Sequence, residues 1–193
     1  MKDTDRRLLE ALVLAPYIQK ATALIGTGRR CGGNQFRHSM ATLAILIDYG
    51  CYDPILLKAA VIHDLFEDFP DSNPEEIRSL DEDGPIVVET VFEVTRREPT
   101  KSEFLARVRD SGSLRARLLK VADRISNLTD LHLGVFDPEA IERYLDETEE
   151  FVLPMAESIA PQMAVELRDL IQSRRRQTLV DITVVEPASS PAG

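Results

Sequence analysis

The chain has 193 residues, of which 44% are hydrophobic, so it is long enough to bury one sizeable core. A net charge of −10 argues against a nucleic-acid partner or an anionic membrane surface, and the apolar runs are too short to cross a bilayer. Two cysteines and an N-terminus without a signal-peptide pattern favour a reduced, cytoplasmic setting.

Most segments carry the period of an amphipathic helix, which predicts an all-α domain over residues 1–178. Residues 85–95 are β-branched, but no partner strand is present, so a buried helix is predicted there too. Residues 179–193, which end Pro-Ala-Ser-Ser-Pro-Ala-Gly, are predicted to form a disordered tail. The other predicted helices cover about 5–26 with a kink at Pro16, 35–49, 54–67, a short one near Pro74, 102–110, 114–131, 137–159 and 161–177.

A loop between the first two predicted helices, residues 26–34, contains four glycines together with Arg29 and Arg30. Glycine lets a backbone approach a ligand closely, but without a Walker pattern the loop could equally be a plain connector. His38 follows in the first turn of the next helix, whose predicted apolar face is Met40, Leu43, Ala44 and Ile47.

The segment His63-Asp64-Leu-Phe-Glu67-Asp68 ends an apolar helix that Asp53 is expected to cap. In a continuous helix Glu67 would lie above His63, and Asp68 above Asp64. Four ionisable groups beside a buried helix are costly unless their charge is satisfied. A divalent metal would satisfy it, since imidazole and carboxylate are suitable ligands.

A second polar group lies in the predicted helix 114–131. Asp123 and Asn127 are four residues apart, Lys120 is one turn earlier on the same side, and apolar residues surround them. An aspartate in such a setting is either paired or a ligand. The set that we predict to hold a single ion is His38, His63, Asp64 and Asp123, with His132 outside the site.

Manganese suits this half-oxygen ligand set, while zinc, iron(II) and cobalt(II) remain open. Glu67 and Asp68 then have no ligand role and could move protons for an attacking water. The nearby cations that could bind phosphate oxygens are Arg29, Arg30, Lys120 and Arg96. The layout predicts hydrolysis of a phosphate ester or anhydride, whereas a chance cluster of surface acids is the alternative for the His63-Asp64 pair alone.

Taken together, these motifs resemble the HD superfamily of metal-dependent phosphohydrolases. Over residues 20–135 the chain is similar to the hydrolase domain of the RelA/SpoT alarmone enzymes and their small stand-alone relatives. The family carries an Arg nine residues before its first His, and in this chain Arg29 lies nine residues before His38. The family's Val-Thr-Lys element resembles residues 94–96, and its Lys-x-Ala-Asp-Arg-x-x-Asn element resembles residues 120–127.

The resemblance implies an all-helical HD-domain bundle that uses Mn²⁺ to remove the 3′-pyrophosphate of guanosine tetra- and pentaphosphate. It assigns metal binding to His38, His63, Asp64 and Asp123, and water activation to Glu67 and Asp68. Substrate contacts would come from Arg29, Arg30 and Asn127. A small-molecule nucleotide is then the expected partner, with a homodimer as the commonest oligomer.

The chain departs from the family pattern around the first His. The usual Pro and Tyr before it are absent, Ser39 replaces the Pro after it, and Ser126 replaces a His before the Asn. These positions are expected to shape the base pocket more than the metal site. Two alternatives therefore stay open: hydrolysis of another nucleotide, such as a deoxynucleotide or a phosphorylated dinucleotide, and a catalytically silent regulatory module.

Overall fold

The computed structural model describes residues 2–185, with the side chains of residues 2–178. Over this range the backbone consists of helices and loops, with an isolated antiparallel bridge between Gly28 and Asn34. The predicted all-α class is confirmed. The α-helices are α1 (Asp3–Ala11), α2 (Ala15–Ala21), α3 (Gln35–Asp48), α4 (Pro54–Ile62), α5 (Leu65–Asp68), α6 (Glu75–Arg78), α7 (Gly84–Val94), α8 (Lys101–Ser111), α9 (Leu114–Asp130), α10 (Pro138–Glu147), α11 (Leu153–Ile159) and α12 (Pro161–Val185).

Helix α9 lies at the centre of the bundle and packs against α3, α4, α7, α8, α11 and α12. Ser113 begins it as predicted, because its hydroxyl accepts a hydrogen bond from the amide of Ala116. Its apolar side chains Leu119, Ala122 and Ile125 are fully buried. Polar side chains on this helix are therefore held within the core, which is the setting in which a charge needs a partner.

The predicted continuous helix over residues 54–67 is wrong. Helix α4 begins after Asp53, whose carboxylate caps it as expected, but it ends at Ile62. The ring Nδ1 of His63 lies 2.9 Å from the carbonyl oxygen of Ala60, and a turn at His63 and Asp64 separates α4 from α5. The backbone bond from the amide of Asp68 to the carbonyl of Asp64 preserves the expected stacking of those two residues.

Other helix boundaries also differ from the prediction. The first predicted helix is divided into α1 and α2, and α2 has a proline in its first turn. The chain bends by 59° between Asp3–Ala11 and Ala15–Gly26. A π-helical turn at Thr148–Val152 separates α10 from α11, and α12 continues past residue 177 to Val185. Residues 186–193 of the predicted tail lie outside the described residues. The domain boundary predicted after residue 178 stays a prediction.

The buried face of α3 is not the predicted one. Met40, Leu43 and Ile47 are only half-buried and Ala44 is exposed. The residues that are fully buried are His38, Ser39, Thr42 and Leu46. A polar stripe is buried because α3 packs on α4 and α9, and the polar groups of α9 lie on this contact. In contrast, the β-branched segment forms helix α7, as predicted, and buries Val87, Val88 and Val91.

None of the described helices is by itself long and apolar enough to cross a membrane. The pair formed by Asp3–Ala11 and Ala15–Gly26, bent by 59°, meets the length and composition criteria when the two are taken together.

An ion-pair cluster around the buried Lys58 connects α4 to the turn before α7. The ammonium of Lys58 lies 2.8 Å from Asp81 and 2.7 Å from Asp83, and the hydroxyl of Tyr17 donates to Asp81 at 2.8 Å. Burial alone would raise the pKa of Asp81, but Lys58 and Tyr17 outweigh it and hold the pKa below its usual value. The cluster therefore holds α2, α4 and this turn together.

We expect Lys58→Met to lower the free energy of unfolding at pH 7 by about 2 kcal/mol, because two acids lose their partner but remain partly solvated. The depressed pKa of Asp81 means that its contribution is present above the unfolded-state pKa near 4 and is lost as the pH falls through the folded-state value. Denaturant titrations should therefore show the difference shrinking below about pH 4. Lys20→Met, which removes an exposed pair with Glu76, is the matched control, and an equal effect would contradict the prediction.

Candidate metal centre

Four side chains from three regions meet between α3, α9 and the turn after α4. The Nε2 atoms of His38 and His63 are 3.3 Å apart, and Asp64 has an oxygen 3.4 Å from His63 and another 3.7 Å from His38. Asp123 Oδ1 lies 3.0 Å from the His38 nitrogen and 3.8 Å from the His63 nitrogen. Donors around an ion with bonds near 2.1 Å are roughly 3 to 4 Å apart, so His38, His63 and Asp64 together fit one ion, and Asp123 lies within the same range of both histidines.

Hydrogen bonds on the far side of each ring orient the two imidazoles. His63 Nδ1 lies 2.9 Å from the Ala60 carbonyl oxygen, which can only accept, so Nδ1 carries the proton and Nε2 is free to bind a cation. His38 Nδ1 lies 2.9 Å from the hydroxyl oxygen of Ser126. Both rings are almost fully buried. Such supported rings are typical of metal-binding histidines.

The electrostatics of the centre favour a cation. Burial alone would lower the pKa of His63, but Asp64, Asp123 and the Ala60 carbonyl outweigh it and raise the pKa to about 9. Burial opposes the charge of Asp123 as well, yet Lys120 and both imidazoles hold its pKa well below the usual range. A divalent ion would replace the extra proton of the His63 ring and neutralise the carboxylates of Asp64 and Asp123 in its place. The donor set therefore fits a metal.

Hydrogen bonds from neighbouring side chains hold the Asp123 carboxylate in place. Lys120 donates to its Oδ2 at 2.7 Å, and the Asn127 amide donates to its Oδ1 at 2.6 Å. Arg29 in turn donates to the Asn127 carbonyl oxygen at 2.6 Å and lies 3.4 Å from Asp130. The predicted face of Lys120, Asp123 and Asn127 therefore exists, and the loop arginine joins it.

The two predicted proton-transfer residues lie on α5, one turn beyond Asp64. Glu67 is exposed and accepts a hydrogen bond from the backbone amide of Arg96 at 3.4 Å. Asp68 is half-buried, and one of its oxygens has no hydrogen-bond partner among the described residues. Burial, with the charges of Asp64 and Glu67, raises the pKa of Asp68, while Gln35 and His63 oppose this shift.

The other residues singled out in the sequence, Arg30, Arg96 and His132, are exposed at the surface. Arg30 is exposed and makes no side-chain hydrogen bond among the described residues, and the side chain of Arg96 is also exposed. His132 is exposed in a short 3₁₀ turn at Leu131–Leu133 and is not one of the three donors, His38, His63 and Asp64, that lie within 4.8 Å of one another. The structure thus brings Arg29, Lys120 and Asn127 together, whereas Arg30 and Arg96 lie at the surface.

A small cavity of about 230 Å³ adjoins this centre through Asn127. Its walls are mainly apolar, and the residues that line it are Cys31, Asn127, Leu131, Phe136, Ala140, Ile141 and Tyr144. Tyr144, on α10, was not predicted from the sequence because nothing local marks a tyrosine on an amphipathic helix as a cavity wall. A cavity of this kind suits a flat, largely apolar group.

Ser126 also has a different place from the expected one. It was predicted to shape a base pocket, but its buried hydroxyl lies 2.9 Å from the ring of His38, a candidate metal ligand. The sequence did contain a signal, since Ser126 follows Asp123 by three residues and therefore shares its face of the helix.

The fold and the four clustered donors define an all-helical domain with a candidate centre for one divalent metal. No family model matches this chain, and no curated protein matches it by sequence.

One solved structure that is similar to this chain is that of a metazoan ortholog of SpoT, described as hydrolysing ppGpp and playing a role in starvation responses. The two chains are 24% identical and superpose with a TM-score of 0.72, over 83% of this chain and 94% of the other. At this identity the likeness establishes a shared fold, which agrees with the predicted helical bundle.

Proposed function

We propose that the chain is a phosphohydrolase that holds one divalent metal, preferably Mn²⁺, through His38, His63, Asp64 and Asp123. The observation that carries the proposal is the convergence of these donors, with His38 Nε2 3.0 Å from Asp123 Oδ1 and 3.3 Å from His63 Nε2. A bound metal would supply charge neutralisation at a phosphate and a more acidic water at neutral pH.

The chain's own residues would do the rest of the chemistry. Glu67 and Asp68, one turn beyond the metal ligands, are proposed to take the proton from the attacking water and to return it to the leaving oxygen. The raised pKa of Asp68 beside an exposed Glu67 suits such a division of roles. Lys120 and Asn127 keep Asp123 in place, and Arg29, Arg30 and Arg96 are proposed to attract the phosphates towards the centre.

We propose guanosine 3′,5′-bis(diphosphate) as the substrate, with loss of its 3′-pyrophosphate in the cytoplasm. The shared fold with an ortholog of SpoT that hydrolyses ppGpp supports this choice. So does the cavity beside Asn127, which is large enough for a purine ring and adjoins the proposed metal site. The partner is then a small nucleotide rather than a nucleic acid or a membrane.

A panel of nucleotides with metal-loaded protein tests the proposal. Release of pyrophosphate from guanosine 3′,5′-bis(diphosphate), dependent on Mn²⁺ and faster than any reaction with other nucleotides, is the expected result. Absence of pyrophosphate would overturn it. Faster hydrolysis of a deoxynucleotide or a phosphorylated dinucleotide would favour the second candidate, which the altered segment around residues 32–39 supports.

Arg29→Ala should raise KM about tenfold and leave the metal content unchanged, because Arg29 contacts Asn127 rather than a metal donor. Steady-state kinetics and elemental analysis on the same preparation give both values. Arg109→Ala removes a half-buried arginine on α8 that pairs with its neighbour Asp110 and serves as the control. An unchanged KM would remove Arg29 from the substrate site.

A further inference from the structure

The loop between α7 and α8 supplies the backbone amide that contacts Glu67. The Arg96 amide nitrogen lies 3.4 Å from Glu67 Oε2, and it belongs to the peptide group that also contains the Thr95 carbonyl. That carbonyl oxygen accepts a hydrogen bond from Arg107 Nη2 at 3.2 Å. A trans peptide group is planar, and its C=O and N–H point in opposite directions. One peptide group is therefore held at its oxygen by α8 and presents its N–H to α5.

Arg107 is suited to fix this peptide group because its guanidinium makes three directional contacts. In addition to the bond with Thr95, its Nη1 donates to the Glu93 carbonyl at 2.7 Å, and its Nε donates to the Glu98 carboxylate. The guanidinium thus joins the last turn of α7 to the loop that follows it. Its planar fork of N–H donors restricts the geometry of the loop more than a lysine ammonium could.

The charge of Arg107 is matched within the same loop. The guanidinium holds the pKa of Glu98 below its usual value, and the other oxygen of that carboxylate accepts the Arg97 amide at 3.0 Å. Arg107 is also half-buried. A guanidinium that is already neutralised and bonded to two carbonyls suits a role in holding the loop rather than in binding a phosphate.

A separate contact holds α5 against α7. Phe66, which precedes Glu67, packs on Phe92 with the ring centres 5.0 Å apart, and the Arg97 guanidinium lies 4.6 Å from the centre of the Phe92 ring. These contacts do not involve Arg107. Loss of Arg107 is therefore expected to release the peptide group that faces Glu67 without displacing α5.

We infer that Arg107 is a positioning residue for Glu67, which it orients through the peptide group of residues 95 and 96. The inference rests on the proposed function, in which Glu67 moves a proton of the attacking water. The Glu67 side chain is exposed, so a fixed donor is needed to limit its rotamers. Donation from the guanidinium to the Thr95 carbonyl also polarises the peptide group and strengthens the Arg96 N–H as a donor.

A double-mutant cycle tests the inference. Arg107→Met should lower kcat about tenfold and leave KM little changed, because one orienting hydrogen bond is lost in the transition state. In protein that already carries Glu67→Gln, the same substitution should have no further effect on kcat. An unchanged kcat, or an equal loss in both backgrounds, would overturn the inference. Arg78→Met is the matched control, since Arg78 pairs with Glu89 and donates to the Pro85 carbonyl at the opposite end of α7.

The chemical shift of the Arg96 backbone amide separates this inference from the proposed function, because it needs no reaction. Glu67→Ala should move that amide proton upfield in the wild-type background and much less in Arg107→Met. Protein that hydrolyses no nucleotide but shows this dependence would support the positioning contact while overturning the proposed function. Equal shifts in both backgrounds would overturn the inference. Arg107→Lys keeps a cation beside Glu98, and it should give the same result if Arg107→Met does not fold, because an ammonium lacks the planar fork.

Discussion

Asp123→Ala should remove the metal from the protein and reduce kcat on the order of a thousandfold, since a bound metal supplies several kcal/mol of transition-state stabilisation. The carboxylate is within 4 Å of both imidazoles and also receives Lys120 and Asn127. Its loss therefore removes one proposed ligand and leaves the Lys120 ammonium without its acid. Elemental analysis after dialysis against Mn²⁺ measures the first effect, and single-turnover rates measure the second.

Asp110→Ala is a suitable control for this variant, because Asp110 is exposed on α8 and pairs only with its neighbour Arg109. That substitution should leave both the metal content and the rate close to those of the wild type. Asp123→Asn adds a second comparison, since it keeps the shape of the side chain but loses the charge. Full metal occupancy in Asp123→Ala would show that Asp123 is not a metal ligand.

Glu67→Gln should lower kcat by about 100- to 1000-fold while KM and metal content change little, because a general acid or base acts in the transition state. Asp68→Asn should have a similar effect if the two residues act as a pair. Neither residue belongs to the group formed by His38, His63 and Asp64, so their amides should not disturb the proposed metal site. Elemental analysis, together with kcat and KM measured over a range of pH, tests these expectations.

Glu75→Gln, an exposed substitution on α6, controls for a general loss of surface charge. A rate unaffected by Glu67→Gln and by Asp68→Asn would contradict the proposed roles. It would also favour the alternative hypothesis from the sequence, that the chain is a regulatory module that binds a nucleotide without cleaving it. In that case ligand binding should persist in both variants with no product formed.

The sequence by itself determined the helical class, and it proposed as metal ligands four side chains that lie close together in the fold. The spacing of Lys120, Asp123 and Asn127 on one helix is a local property, because residues three and four apart share a face. Asp53 and Ser113 marked the starts of α4 and α9 for the same reason, since a capping side chain bonds backbone amides two or three residues away. Local rules of this kind need no knowledge of the fold.

Only the tertiary structure decided which groups come together over long separations. The packing of α3 against α9 brings Ser126 to His38, and loop closure brings Arg29 to Asn127. The break after Ile62 was also unpredicted, because it coincides with a contact between the His63 ring and the Ala60 carbonyl that helical periodicity does not encode. Tyr144 lines the cavity beside Asn127 only because the fold brings α10 to α9, where Arg124 donates to the Tyr144 carbonyl, and no sequence spacing encodes that contact.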